Sequence, residues 1–386
     1  MKMNRIIAAS LAAVMCFGAL AGCGASKGDD VIKLGVLAPL TGDVAVYGIA
    51  VNNAVKLYVE EVNAAGGIAG KQVEITVYDE KGDATEAVTA YNKLVTSDEV
   101  HAIIGSVTST PSIAVAQASV EDNIPILTPT GTHQDITSYG NNYFRACFLD
   151  PFQGSTMAKY ASEVLGAKTA AIIYNTSDAY STGLMESFTA TAKEVGLNVV
   201  ATAGYAANDV DFKAQLTTIQ GKNPDVLFCP DYYNTVYLIA TQVKEIGVKA
   251  TLLGVDGVDG ILDVATDVSL INGMIFCNHY STEDQSPLVQ NFLKNYKAKY
   301  NETPNALAAL GYDGAMIMLN AIGSVIESGV KLDNSEECRA AIIAALDKTD
   351  IDAVTGHIVY DEKNNPQKSC AIIKIENGAY SLLTKY

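Results

Sequence analysis

Val100-His101-Ala102-Ile103-Ile104 runs directly into Gly105-Ser106-Val107-Thr108-Ser109-Thr110-Pro111. The apolar run reads as a short buried strand, and a helix is expected from near Pro111, since proline is tolerated in a first helical turn. The joining turn offers hydroxyls and free backbone N–H groups, which together can hold a carboxylate without a basic residue. The next unit repeats the order: Ile124–Leu127 reads as a strand and closes in a second hydroxyl-rich turn, Thr128-Pro129-Thr130-Gly131-Thr132.

Outward from this pair the same alternation continues. β-branched runs at Val31–Leu37, Gln72–Tyr78, Thr169–Tyr174, Asn198–Thr202, Val226–Cys229, Thr251–Leu253 and Met274–Cys277 are each closed by a turn, and helical patterns intervene. Val51, Val55, Val59 and Val62 share one helical face, and Gly66-Gly67 stops that helix. Alternation of this length predicts an α/β protein with parallel sheets covered by helices. Strands lie on both sides of Arg145–Gly154, which predicts two doubly wound parallel-sheet lobes joined by a hinge. Later, Ser286–Tyr300, Asn305–Glu327 and Ser335–Asp347 read as helices, and His357–Asp361, Cys370–Ile375 and Tyr380–Leu383 as a small antiparallel ending.

The chain of 386 residues has 26 Lys+Arg against 43 Asp+Glu, a formal charge of -17. Nucleic acid is excluded as a partner, because a phosphate backbone needs a basic face. Lys2 and Arg5 precede an uncharged run from Ile6 to Leu20, the order of a secretory signal. It ends in Leu20-Ala21-Gly22-Cys23, a lipobox-like site that predicts cleavage after residue 22 and a lipid on Cys23. Residues 23–30 read as a flexible tether. The expected location is extracytoplasmic, anchored by lipid to the outer face of the cell membrane. The cysteines after Cys23, at 147, 229, 277, 338 and 370, show no CxxC spacing, which argues against zinc; sequence leaves their pairing open, and most of them read as free and buried.

Enzyme fingerprints are missing: the sequence has no GxSxG, HExxH or GxGxxG, and Gly66-Gly67-Ile68-Ala69-Gly70-Lys71 lacks the flanking residues of a phosphate loop. No metal or cofactor is expected. The four histidines read as loop or surface residues, and Asp79, Glu80, Asp83 and Glu86 as a solvated helix start. The second half carries complementary chemistry. Asp178-Ala179-Tyr180, Asp231-Tyr232-Tyr233 and Val255-Asp256-Gly257 each follow a strand, and a carboxylate among aromatics suits an ammonium. Taken alone, Asp256 reads equally as a turn residue and Tyr232 as a core aromatic. A neutral carboxylate cradle on one lobe and an acid with tyrosines on the other together describe an α-amino acid.

From Ile32 to about Leu383 the chain resembles the leucine/isoleucine/valine-type substrate-binding proteins of ABC transporters, of the type I periplasmic-binding fold. The stretches that carry the likeness include Ile32-Lys33-Leu34-Gly35, Asn63-Ala64-Ala65-Gly66-Gly67-Ile68-Ala69-Gly70, Tyr143-Phe144-Arg145, Gln153-Gly154 and Tyr312-Asp313-Gly314. The resemblance implies three crossovers, with lobes at 31–147 plus 281–355 and 148–280 plus 356–386, and a free amino acid, most readily branched-chain, held between them for a membrane permease. It implies that Ser109 and Thr132, with groups around Thr108 and Thr130, bind the ligand from one lobe. Tyr180, Tyr232 and Asp256 would close from the other, while Tyr47, with Tyr280 beside it, would touch the ligand side chain. Asp256 stands where a glutamate is usual, and Gly82 and Thr108 replace a cysteine pair. The readings left open by the same chemistry are a receptor for another amino acid, a sugar or a nucleobase, and a signalling sensor.

Overall fold

The computed structural model describes residues 31–386, so the signal, Cys23 and the tether lie outside the described residues. The first sheet holds five parallel strands in the order β2-β1-β3-β4-β5: β1 Val31–Ala38, β2 Gln72–Asp79, β3 Ala102–Ile104, β4 Ile126–Thr128 and β5 Tyr143–Arg145. Between them run α1 (Ala45–Ala64), α2 (Ala84–Thr96) and α3 (Ser109–Ala118). The chain then crosses to α4 (Asp150–Lys159) and builds a second sheet from β6 Thr169–Asn175, β7 Asn198–Tyr205, β8 Val226–Phe228, β9 Thr251–Gly254 and β10 Ile275–Asn278. Its helices are α5 (Ala179–Glu194), α6 (Lys213–Gln220), α7 (Tyr233–Ile246) and the short α8 (Ile261–Val264). A second crossing leads to α9 (Pro287–Tyr300), α10 (Ala306–Glu327) and α11 (Glu336–Leu346), with α10 packed on α1, β3 and β4 of the first lobe. The third crossing follows the two-stranded ribbon β11 (Asp350–Ala353) and β12 (Gly356–Val359). It returns the chain as β13 (Ala371–Glu376) and β14 (Ala379–Lys385).

The parallel part of the second sheet, β10-β9-β8-β6-β7, repeats the order of the first. In each lobe the first strand in sequence sits second from the edge, and the direction of winding reverses beside it. That reversal opens a crevice at the carboxyl ends of the strands, where open α/β sheets place ligands. The two crevices face each other.

Local sequence sets the boundaries. Ser286, Asn305 and Ser335, the first residues of the three helices expected in the last third, are N-caps whose side chains accept from Val289, Ala308 and Cys338 amides. Asp313 on α10 is fully buried and accepts from the amides of Val354 (2.8 Å) and Thr355 (2.9 Å), which fixes the ribbon at the third crossing to the core helix. Two strands differ from expectation. β5 was not foreseen and ends at Arg145, where the segment read as hinge begins, and the antiparallel ending is two structures: β13 and β14 extend the second sheet, while β12 pairs with the unforeseen β11.

Gly311 sets how closely α10 approaches α1. A Cβ there would lie 2.9 Å from both the Cα and the carbonyl oxygen of Val51, so backbone would have to move. Gly311→Ala gains up to about 1 kcal/mol of helix propensity but incurs overpacking of about 1–3 kcal/mol. Net destabilisation of up to about 2 kcal/mol is expected in urea unfolding; a stabilised variant would show that the crossing is looser than described.

Candidate functional site

The residues expected to meet a ligand converge on one cavity of about 270 Å³ between the facing crevices. Tyr47, Thr108, Ser109, Thr130 and Thr132 border it from the first lobe, and Tyr180, Tyr232 and Asp256 from the second. Each arrives by a strand end or a helix start. Thr108 and Ser109 open α3, whose first turn has no acidic residue to neutralise its N-terminal dipole. Thr130 and Thr132 follow β4. The Thr130 hydroxyl donates to the Val107 carbonyl, tying the two hydroxyl loops together. Ser109 Oγ accepts from the His133 amide at 3.3 Å, a second tie.

On the second lobe Tyr180 sits in the first turn of α5 and Tyr232 caps α7. Their rings stack at 5.0 Å with 4° between planes, and Tyr47 meets Tyr232 edge-on at 5.9 Å. Asp256 begins the short turn after β9. It accepts from Tyr180 Oη at 2.5 Å through Oδ1 and from His279 Nε2 at 2.9 Å through Oδ2. Burial pushes the His279 imidazole below its usual value of 6.5. The neutral ring must therefore carry its proton on Nε2, because a carboxylate only accepts. Phe148 stacks on that ring at 3.7 Å. Gly257 has no room for a side chain: a Cβ would lie 2.7 Å from Tyr180 Oη and 2.8 Å from the Asp231 carbonyl.

Several bonds join the lobes directly. The Tyr47 hydroxyl donates to the Gly257 carbonyl. Tyr233 Oη and Asn234 Nδ2 donate to the Asp43 carbonyl at 2.8 and 2.9 Å, and Thr110 Oγ1 donates to Asp178 Oδ1 at 2.7 Å. Larger cavities of about 880 and 930 Å³ open near the crossings and also border helix starts and carboxylates, but neither brings the two hydroxyl loops of the first lobe against the tyrosine-framed Asp256 of the second, and in the 930 Å³ cavity the start of α10 is already bonded by Asp259. Chemistry rather than volume therefore selects the smaller one.

The sequence profile of the periplasmic binding protein family matches residues 31–379. The chain belongs to this family. A Leu/Ile/Val-binding protein of Rhizobium johnstonii is 32% identical over 352 residues, covering 90% of this chain and 92% of the relative. A crystal structure of a leucine-binding protein from Thermotoga maritima superposes with a TM-score of 0.85 at 31% identity, over 92% of this chain and 98% of that one. The branched-chain amino acid transporter substrate-binding protein of Streptococcus pneumoniae, solved with isoleucine, gives a TM-score of 0.83 at 31% identity, over 92% and 98%. These relatives are solute-binding proteins, not enzymes.

In this periplasmic binding protein Tyr280 does not join Tyr47. Its hydroxyl bonds the Pro304 carbonyl, and its ring lines the two larger cavities instead. Val107, Gly257 and Leu307 border the site without having been singled out; apolar residues at element ends carry no local signal that separates wall from core. His101, His133 and His279 lie in loops, as read, but two of them are away from the surface: His279 is buried behind Asp256, and His101 is buried with Nδ1 accepting from the Lys33 amide at 3.0 Å.

The acidic cluster divides. Asp83 stands at the helix start as the N-cap of α2, accepting from Thr85 and Glu86 amides, whereas Asp79 holds the Leu40 amide at 2.8 Å. Glu80 is fully buried beneath the loop that carries Thr108. Desolvation pushes its carboxyl up to about 8; the amides of Val107 and Gly82 face it and offset part of that shift, though neither makes a well-formed hydrogen bond. The folded protein thus keeps a proton that the unfolded chain releases near 4.5. This contribution to stability is full below about pH 4.5 and declines as pH rises to about 8, by at most ~1.4 kcal/mol per unit. Glu80→Gln should flatten that decline, being more stable than wild type at about pH 8 and not at about pH 4.5. Parallel urea midpoints for the two proteins across this range would refute the assignment.

Proposed function

We propose that this protein captures a free branched-chain amino acid between its lobes and presents the closed form to an ABC transporter permease. The observation that carries this reading is the opposition, across one small cavity, of an un-neutralised helix N-terminus with hydroxyl loops and a buried carboxylate framed by tyrosines. The first suits an α-carboxylate and the second an ammonium. Val107, Leu307 and the Tyr47 ring supply an apolar wall suited to an aliphatic side chain. The ligands in the relatives' names support the same choice. On this reading the lobes are the two discontinuous segments expected from the sequence, and Ser109 and Thr132 bind first while Tyr180 and Asp256 complete the site on closure.

The N-terminal residues extend the reading: cleavage after residue 22 would leave Cys23 lipidated, holding the protein on the outer face of the membrane beside its permease. A labelled fatty acid should mark the wild-type chain in cells and leave Cys23→Ser unmarked; equal labelling of both would remove the anchor.

Ligand-free protein beginning at residue 25 should be stabilised by roughly 4 kcal/mol by leucine, isoleucine or valine at about a thousand times its dissociation constant. Asp256→Ala should bind isoleucine roughly 30-fold or more weakly in calorimetry, because an ammonium would be buried without its partner at a cost of about 2–5 kcal/mol. Stabilisation by a different amino acid would keep the class and change the specificity. A response to sugars or nucleobases alone would overturn the proposal.

A further inference from the structure

Arg145 is fully buried, yet no carboxylate lies within ion-pair distance of it among the described residues. Its guanidinium fork serves backbone instead: Nη1 donates to the Gly131 carbonyl and Nη2 to the His133 carbonyl, each at 2.9 Å. The carbonyl between them, that of Thr132, accepts from the Asp150 amide at 3.0 Å. The Cys147 thiol adds a contact to Gly131 O at 3.2 Å. Three consecutive carbonyls of the ligand loop are thus held by residues 145–150, the stretch that carries the chain from the first lobe to the second.

Peptide planarity turns this into an orientation. In a trans peptide the N–H points opposite to the preceding C=O. A Gly131 carbonyl drawn back onto Arg145 aims the Thr132 amide the other way, toward the cavity that Thr132 borders. By the same geometry the Thr132 carbonyl, held by Asp150, aims the His133 amide at Ser109 Oγ, where it bonds. A fixed fork with two parallel donors suits two carbonyls in one sequence; an ammonium on a flexible stem does not. Burying an unpaired guanidinium is costly, and a neutral side chain could fill the same space.

We propose that Arg145 is a positioning residue: it holds Gly131–His133 so that Thr132 and Ser109 present their donors to the ligand carboxylate, and it couples that half-site to the first crossover. The loop assignment stands on geometry alone, while its effect on affinity rests on the amino-acid reading above.

The test compares wild type with Arg145→Lys, which keeps the charge but cannot span both carbonyls. In ligand-free protein, hydrogen exchange at the amides of residues 131–134 should quicken about tenfold or more while the sheets stay protected. Isoleucine affinity should fall about tenfold, and the variant combined with Thr132→Ala should lose clearly less than the product of the two single losses. Wild-type-like exchange, uniformly faster exchange, or strictly multiplicative losses would each overturn the proposal. Should Arg145→Lys not fold, Arg145→Gln takes its place, and failure of both to fold would assign Arg145 to stability alone. A wild-type protein that ignores isoleucine would count against the branched-chain choice of ligand and leave the exchange result to decide the loop.

Discussion

A carboxylate taken out of water must find partners, and Asp256 is the point at which this protein meets that requirement. Its two oxygens are bonded by Tyr180 and a neutral His279, donors that stabilise the charge without cancelling it. The surrounding arrangement follows from holding those donors in place. Phe148 stacks on His279, Tyr232 stacks on Tyr180, and Gly257 leaves room for the tyrosine hydroxyl. On the function proposed, a ligand ammonium brings the missing positive charge, so closure and binding become one event.

The first lobe solves the complementary problem without a cation at the cavity. It offers a helix start and two hydroxyl loops tied to each other, and its buried ionisable groups stand one layer back: Glu80 beneath the first loop, Arg145 behind the second. A lysine or arginine in the cavity would attract any anion. Neutral donors of fixed direction instead select by geometry, and they avoid leaving an unpaired charge when the site is open.

The sequence carried the alternation of strands and helices because parallel strands buried on both faces are continuous apolar runs, and capping residues mark helix starts. It also carried the loops that meet around the small cavity, since these lie at the carboxyl ends of such strands. β5 was hidden because three residues ending in a buried arginine do not look like a strand; both Nη groups of that arginine find carbonyls in another loop. β11 was hidden for a related reason: Asp350-Ile351-Asp352-Ala353 is mostly exposed and paired only with β12, so it lacks a core strand's hydrophobicity. The burial of the loop residue His279 went unread, and Glu80 was misplaced, because nothing local distinguishes a buried titratable group from a solvated one. Their burial is created by Phe148 in one case and by the Gly105–Thr108 loop in the other.

The bonds that join the lobes directly have a separate meaning. Asp43 with Tyr233 and Asn234, Thr110 with Asp178, and Tyr47 with Gly257 hold the halves together through contacts made between the lobes themselves. Each is worth on the order of 0.5–1.5 kcal/mol and biases the resting balance between open and shut forms. Apparent affinity scales with the fraction of molecules already competent to hold the ligand. The rim of the cleft is therefore a gain control: substitutions there can set the solute concentration at which the protein responds while the pocket, and with it the choice of solute, stays the same.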